Sequence, residues 1–131
     1  MLYLKVVLLN IFVFFYLTAY ASPVIFCPTI DEIRNEHYSP WLPLYIDREE
    51  LASTNDVEQF KANVTSFSVA KWDQSYLENG HCFYKGNDSI VDKIIFAQDA
   101  WQPVTNSYWH WLDAKKLAAC YTEIQHCGFI T

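Results

Sequence analysis

The sequence is poor in the residues that nucleic-acid binding, phosphate binding and common hydrolytic chemistry need. Its 131 residues include only three glycines, and nine lysines and arginines stand against 15 aspartates and glutamates. Only Lys115 and Lys116 are adjacent, and contact with nucleic acid or an anionic membrane takes clustered basic residues. The patterns G-x-S-x-G and H-E-x-x-H and a glycine-rich phosphate loop are also missing. The absence of these residues and motifs favours a binding protein over an enzyme, and nucleic acid is not an expected partner.

Long hydrophobic runs are missing too, because none reaches the roughly 20 residues that a membrane-spanning helix needs. The longest, residues 6–17, is interrupted only by Asn10 and lies between Lys5 and the small-residue pattern Ala19-Tyr20-Ala21. This arrangement is typical of a cleaved signal peptide, with an uncleaved anchor as the alternative. We predict a signal peptide over 1–21 and a single secreted or periplasmic domain over 22–131, without membrane insertion after cleavage. Cleavage removes one lysine and changes the net charge from −6 to −7.

The chain has four cysteines, and all of them follow the predicted cleavage site: Cys27, Cys82, Cys120 and Cys127. An even number in a secreted protein predicts disulfides, with three possible pairings. We favour one bridge that ties the new N-terminus to the middle of the chain, Cys27–Cys82, and one short loop, Cys120–Cys127. A metal site is the rival interpretation, but no C-x-x-C spacing occurs. We therefore expect neither a metal nor another cofactor.

Local patterns predict a β-rich α+β fold, namely a small antiparallel sheet or sandwich with a short N-terminal helix, stabilised by disulfides. Thr29 and Glu32 fit a capping box, which predicts a short helix over 27–34. Residues 44–46 have an extended pattern, and the acidic stretch 47–59 indicates a surface loop or a short helix.

A meander of at least three antiparallel strands is predicted to follow. Alternation from Phe60 to Trp72 favours a strand with a bulge near residues 65–66, although a helix also fits the start of this segment. Asn79-Gly80 is a turn signal, after which 81–85 and 90–96 have strand patterns. The composition of residues 101–127 does not decide between helix and strand.

Several short motifs occur in a recognisable order along the predicted mature domain. They are Cys27-Pro28, Phe67-x-x-Ala70-x-Trp72, Gly80-x-Cys82-x-Tyr84, and Cys120 followed by Cys127-x-Phe129. In this order they resemble a domain-of-unknown-function family of small secreted disulfide-containing proteins of intracellular gamma-proteobacteria. The chain departs from that pattern in its long acidic stretch before Phe60 and in lacking a glycine in the first segment. The resemblance implies secretion and a β-rich disulfide fold, and it brings no established activity.

The predicted mature domain is rich in aromatic residues and holds all five tryptophans. In a strand over the run Tyr108-Trp109-His110-Trp111, the two tryptophans would share one face. They would then either pack in the core or form an exposed platform that stacks on sugar rings or anchors a protein partner. The candidate platform residues are Trp41, Trp101, Tyr108, Trp109 and Trp111.

These observations predict a secreted binding module for an unknown protein or glycan. A net charge of −7 would also steer it towards a basic secreted enzyme, such as a lysozyme, as an inhibitor. The alternative is a small hydrolase that uses histidines as acid and base, with His81, His110 and His126 as candidates.

Overall fold

The computed structural model describes residues 23–131, so the signal peptide predicted for 1–21 lies outside the described residues. Nine strands and two α-helices form in this part of the chain. The helices are α1 (Ile30–Arg34) and α2 (Thr54–Asn63). The strands are β1 (Val24–Ile25), β2 (Leu42–Tyr45), β3 (Val64–Asp73), β4 (Gly80–Gly86), β5 (Ile94–Gln98), β6 (Gln102–Pro103), β7 (His110–Asp113), β8 (Leu117–Cys120) and β9 (Phe129–Ile130).

The strands form two antiparallel sheets. The larger has six strands in the order β2-β5-β4-β3-β8-β7, and the smaller has three in the order β1-β9-β6. The expected meander is present as the neighbouring strands β3, β4 and β5. The β-rich α+β fold with a short N-terminal helix is thus confirmed.

Helix α1 begins where its capping box predicts. The Thr29 side chain accepts a hydrogen bond from the Glu32 amide, and the Glu32 carboxylate accepts one from the Thr29 amide. These bonds satisfy backbone donors that the first helical turn leaves free. Ile33 is fully buried, and the Arg34 guanidinium donates to the Val64 carbonyl at 2.8 Å. The helix is thereby fixed against the start of β3.

The strand prediction is wrong for residues 60–63, which belong to α2. Ser53 caps this helix by accepting a hydrogen bond from the Asp56 amide, and Val57 and Phe60 bury the same helical face. Burial of that face outweighs the weak alternation at 60–64. The strand begins only at the β-branched Val64, and its register with β4 shifts between Val64 and Ser66. The bulge predicted near 65–66 is confirmed.

The turn predicted at Asn79-Gly80 and the strand predicted over 90–96 lie at slightly different positions in the structure. The turn between β3 and β4 lies at 74–78 and precedes Asn79-Gly80. Asn79 acts through its side-chain amide, which donates to the Asp73 and Tyr76 carbonyls. The strand predicted over 90–96 starts only at Ile94, because Asp88 caps a 3₁₀ helix over Ser89–Lys93. In residues 101–127, where composition decided nothing, the structure has short strands and a 3₁₀ helix over Ile124–His126.

The core lies on one face of the six-stranded sheet, where side chains from both helices and from the small sheet meet. Phe60 is fully buried there and packs against Tyr84 and Phe96 with ring centroids 5.9 and 5.4 Å away. A second, smaller cluster of Leu44, Ile95 and Ala97 lies apart from it. These residues alternate with core residues along β2 and β5, so they lie on the face of the six-stranded sheet that points away from the core. We call it the outer face.

Both predicted disulfides are present, and all four cysteines are buried. Cys27–Cys82 joins the segment before α1 to the centre of β4, and Cys120–Cys127 joins the end of β8 to the segment before β9. In residues 23–131, no helix is both long and apolar enough to cross a membrane.

Candidate binding surface

The five aromatic residues proposed as a platform do not share one surface. Trp41 and Trp109 are 5% and 6% exposed, and both pack edge-to-face against Phe129, with ring centroids 5.8 and 5.0 Å away. The Trp109 indole N–H donates to the Gly128 carbonyl at 3.0 Å. The prediction of exposure is therefore wrong for these two residues, because Phe129 holds both in the core.

Trp109 and Trp111 do not lie in one strand, the arrangement considered for 108–111, and they differ in burial. Strand β7 begins only at His110, so Trp109 lies in the preceding loop and turns into the core. Trp111 pairs with Ala118 and packs edge-to-face on Trp72 at 5.8 Å, but it lies at the sheet edge and is 48% exposed.

Trp101 and Tyr108 are the remaining platform candidates, and both are exposed. Trp101 has 70% of its surface accessible, the largest fraction among the tryptophans. Tyr108 stacks on the His126 ring with the centroids 4.0 Å apart. Because Trp41 and Trp109 are buried, the five residues do not form one exposed platform.

The outer face of the six-stranded sheet brings together polar residues from distant parts of the sequence. Register pairs Ala97 with His81, His81 with Lys71, Lys71 with Ala119, and Ala119 with His110. Directly paired residues of an antiparallel sheet point to the same face. One row of the outer face therefore crosses five strands and places His81 beside Lys71.

A pocket of about 210 Å³ opens on this face around His81 and Lys71. We call it the outer-face pocket. Its apolar lining comes from the side chains of Leu44, Ile46, Phe83, Ile95 and Leu117. Its charged, titratable and aromatic lining comes from Glu49, Lys71, Asp73, Tyr76, Glu78 and His81.

Contacts among the lining residues fix their positions. The Lys71 Nζ atom lies 5.0 Å from the centre of the Phe83 ring, and Tyr76 meets the His81 ring edge-to-face at 5.1 Å. The Asp73 carboxylate accepts hydrogen bonds from the amide and the hydroxyl of Ser75, at 2.9 and 2.6 Å. These bonds hold the 74–78 turn, which supplies Tyr76 and Glu78, at the mouth of the pocket.

The pocket is negatively charged at neutral pH. Burial lowers the pKa of His81, while the Glu78 carbonyl and the carboxylates of Asp73, Glu49 and Glu78 oppose that shift. The imidazole therefore stays neutral at pH 7. Three carboxylates then face a single lysine ammonium.

The shifted pKa of His81 predicts a pH-dependent stability. Its pKa in the folded protein lies below the usual 6.5, so the unfolded chain binds more protons as the pH falls through this value. We expect the His81 contribution to the free energy of unfolding to be fully present above about pH 7 and to decline below about pH 6.5. Denaturant unfolding across this range, for the wild type and for His81→Gln, measures it, and equal pH dependence in the two proteins would contradict the prediction.

A second depression, wider and more open, lies beside the N-terminus of the 3₁₀ helix over Ser89–Lys93. Two of its four acidic lining residues have hydrogen-bond partners in the fold. Asp88 accepts a hydrogen bond from the Ile90 amide, and Asp56 accepts one from the Tyr45 hydroxyl. Among residues 23–131, no group of three or more histidine, cysteine and acidic side chains is arranged to hold a metal ion.

The three histidines of the hydrolase alternative do not converge. His81 on β4 and His110 on β7 are separated by β3 and β8, which corresponds to about 14 Å at the usual strand spacing. His126 lies in the second 3₁₀ helix, stacked on Tyr108. This geometry gives acid–base catalysis by a histidine pair no support.

No family model, curated protein or solved structure matches this chain. The case for a site therefore depends on the geometry alone. The sequence patterns indicate His81 only as a hydrolase candidate and do not predict the outer-face pocket. The polar residues that alternate with core residues along β3, Lys71 and Asp73, are the signal that could have indicated it.

Proposed function

We propose that this protein is an extracytoplasmic binding module that recognises a basic protein through the outer-face pocket. The observation that carries the proposal is the pocket itself, whose lining combines apolar side chains with three carboxylates and one lysine. Secretion or a periplasmic location is part of the proposal, supported by the signal-like head of the sequence and by the two disulfides.

The charge of the chain supports a basic partner. The net charge is −6 for the full chain and −7 without residues 1–21. A field of this sign raises the association rate with a positively charged protein, and salt screens the effect. At close range, Glu49, Asp73 and Glu78 place the same sign of charge around the pocket.

The shape of the pocket suits a lysine or arginine side chain. About 210 Å³ is enough for one long side chain, whose methylene groups would lie on Ile95 and Leu44. Its cationic head would lie near the carboxylates and beside the Tyr76 ring, which is 41% exposed and attracts cations through its face. Lys71 lies over the Phe83 ring, so its ammonium is held against the side of the pocket.

The acidic charge and the pocket favour a basic secreted enzyme as the partner, which the protein would inhibit by occupying its surface. Calorimetric titration at low salt with tetralysine and tetraarginine peptides, and with a panel of basic secreted enzymes that includes a lysozyme, tests the proposal. The Glu49→Gln/Glu78→Gln variant removes two pocket charges and leaves Asp73, which holds the turn, in place. We expect at least a tenfold weaker affinity, or about 1.4 kcal/mol.

The matched control is Asp99→Asn/Glu123→Gln, which changes the net charge equally at exposed positions outside the pocket. We expect this control to change the affinity by less than about threefold, because distant exposed charges are screened. Equal losses in the two variants would show a general charge effect and reject the pocket. Binding to none of the basic probes, or to neutral glycans instead, would reject a basic protein as the partner.

A further inference from the structure

The two edges of the six-stranded sheet differ in how they are protected. At the β2 edge, the following segment folds back onto the strand. The Tyr45 amide donates to the Glu50 carbonyl at 2.8 Å, and the Ala52 amide donates to the Pro43 carbonyl at 2.9 Å. Pro43 itself has no N–H to offer. This edge is closed to another strand.

The opposite edge, formed by β7, has no such cover in residues 23–131. The strand pairs only with β8, and all four of its residues are exposed. They include two large apolar side chains, Trp111 at 48% and Leu112 at 53% exposure. The strand has neither a lysine nor a proline; its protection is limited to its short length, one charged residue (Asp113) and a register shift between Trp111 and Asp113. An open edge of this kind is a template for one more strand.

The sequence of β7 is complementary to itself in antiparallel pairing. Full overlap of two copies of His110-Trp111-Leu112-Asp113 sets each His110 opposite an Asp113 and each Trp111 opposite a Leu112. An imidazole N–H donates to a carboxylate, and the apolar pair removes exposed surface from water. Within one chain, His110 and Asp113 both pair with outer-face residues of β8, Ala119 and Leu117. In a regular strand these two side chains would point to opposite faces, but the register shift between Trp111 and Asp113 brings both to the outer face, where the partner side chain would also lie.

We propose that the occupant of the β7 edge is β7 of a second copy of this chain, which gives a symmetric dimer with a continuous sheet of twelve strands. The twofold axis runs between Trp111 and Leu112, perpendicular to the sheet. A perpendicular axis keeps the same face of the sheet on the same side in both copies. The dimer therefore presents two outer-face pockets on one surface and can bind a basic partner at two points.

The dimer is weak and responds to salt. Four residues on each side form a small interface, and interfaces of this size belong to transient complexes. Each copy carries a net charge of −7 without residues 1–21, so the two copies repel each other at low ionic strength. Because added salt screens this repulsion, the dimer fraction rises with salt, opposite to the salt dependence of binding a basic partner.

Sedimentation velocity of the mature protein over a range of concentrations and salt tests the proposal. The Leu112→Lys variant places a charge at the edge, and we expect at least a tenfold larger dissociation constant for the dimer. The control is Leu77→Lys, which adds the same charge at a side chain that is 85% exposed in the turn between β3 and β4. Equal weakening by both variants, or a wild type that stays monomeric at every concentration and salt, would overturn self-pairing.

A charge exchange tests the register separately. His110→Asp sets two carboxylates opposite each other, and Asp113→Lys removes the acceptor of the imidazole, so each single variant weakens the dimer. The double variant His110→Asp/Asp113→Lys restores opposite charges in the same register and recovers dimerisation. Failure of that rescue, with both single variants folded by circular dichroism, would reject this pairing.

Discussion

Replacing Cys27 and Cys82 together with alanine should lower the free energy of unfolding by about 4 kcal/mol. The two cysteines are 55 residues apart, and the loss of loop closure in the unfolded chain gives this magnitude. A domain of this size has a total stability of roughly 5–15 kcal/mol, so the variant would be close to unfolding. The bridge is also the covalent link between the segment before α1 and the centre of the sheet.

The second bridge supplies the comparison. Cys120 and Cys127 are only seven residues apart, and the same argument gives about 2.5 kcal/mol for their replacement by alanine. All four cysteines are buried, so the two double variants lose similar packing and differ mainly in loop length. Urea unfolding of the wild type and both variants measures the order. A larger loss for the short bridge would contradict the loop-closure account.

Replacing Phe129 with alanine should lower the free energy of unfolding by about 3–5 kcal/mol. The ring is fully buried and meets both Trp41 and Trp109 edge-to-face, so its loss leaves a cavity between two large side chains. The same change should make these two indoles more accessible, which shifts the tryptophan fluorescence of the folded protein to longer wavelength. Denaturant unfolding and emission spectra together measure the two effects.

Trp101→Ala is the matched control for Phe129→Ala. It also removes an aromatic ring, but from a side chain that is 70% exposed, and we expect a stability change within about 0.5 kcal/mol. The contrast tests the division of the aromatic residues into buried and exposed sets. Similar losses in both variants would mean that Trp101 is packed or that Phe129 is not.

The elements that sequence predicted well are those whose signals are local. The capping box at Thr29 and Glu32 involves atoms three residues apart, and the helix begins there. The register shift between Val64 and Ser66 confirms the bulge predicted near 65–66, although residues 60–63, whose parity suggested it, belong to the helix. An even number of cysteines after a predicted signal peptide favoured bridges, and both favoured pairs form.

The wrong predictions concern side chains whose burial depends on contacts with residues that are distant in the sequence. Local composition favoured a strand at Phe60 over a helix, and contact with Tyr84 and Phe96 buries its ring on the helix face instead. Trp109 and Trp111 are two residues apart, and only contact with Phe129 draws the first into the core. Neither contact has a signal within the neighbouring sequence.

By itself, the sequence determined the class of this protein: an acidic, β-rich chain with a signal-like head and an even set of cysteines. Such properties depend on composition and on neighbours along the chain. Only the tertiary structure decided where recognition can occur. The outer-face pocket brings Lys71, Glu78 and His81 together through the register of β3 and β4 and the turn between them, and adds Glu49 from the loop after β2. Register is set by packing of the whole sheet, and this is the physical reason that the polar alternation along β3 does not by itself locate the pocket.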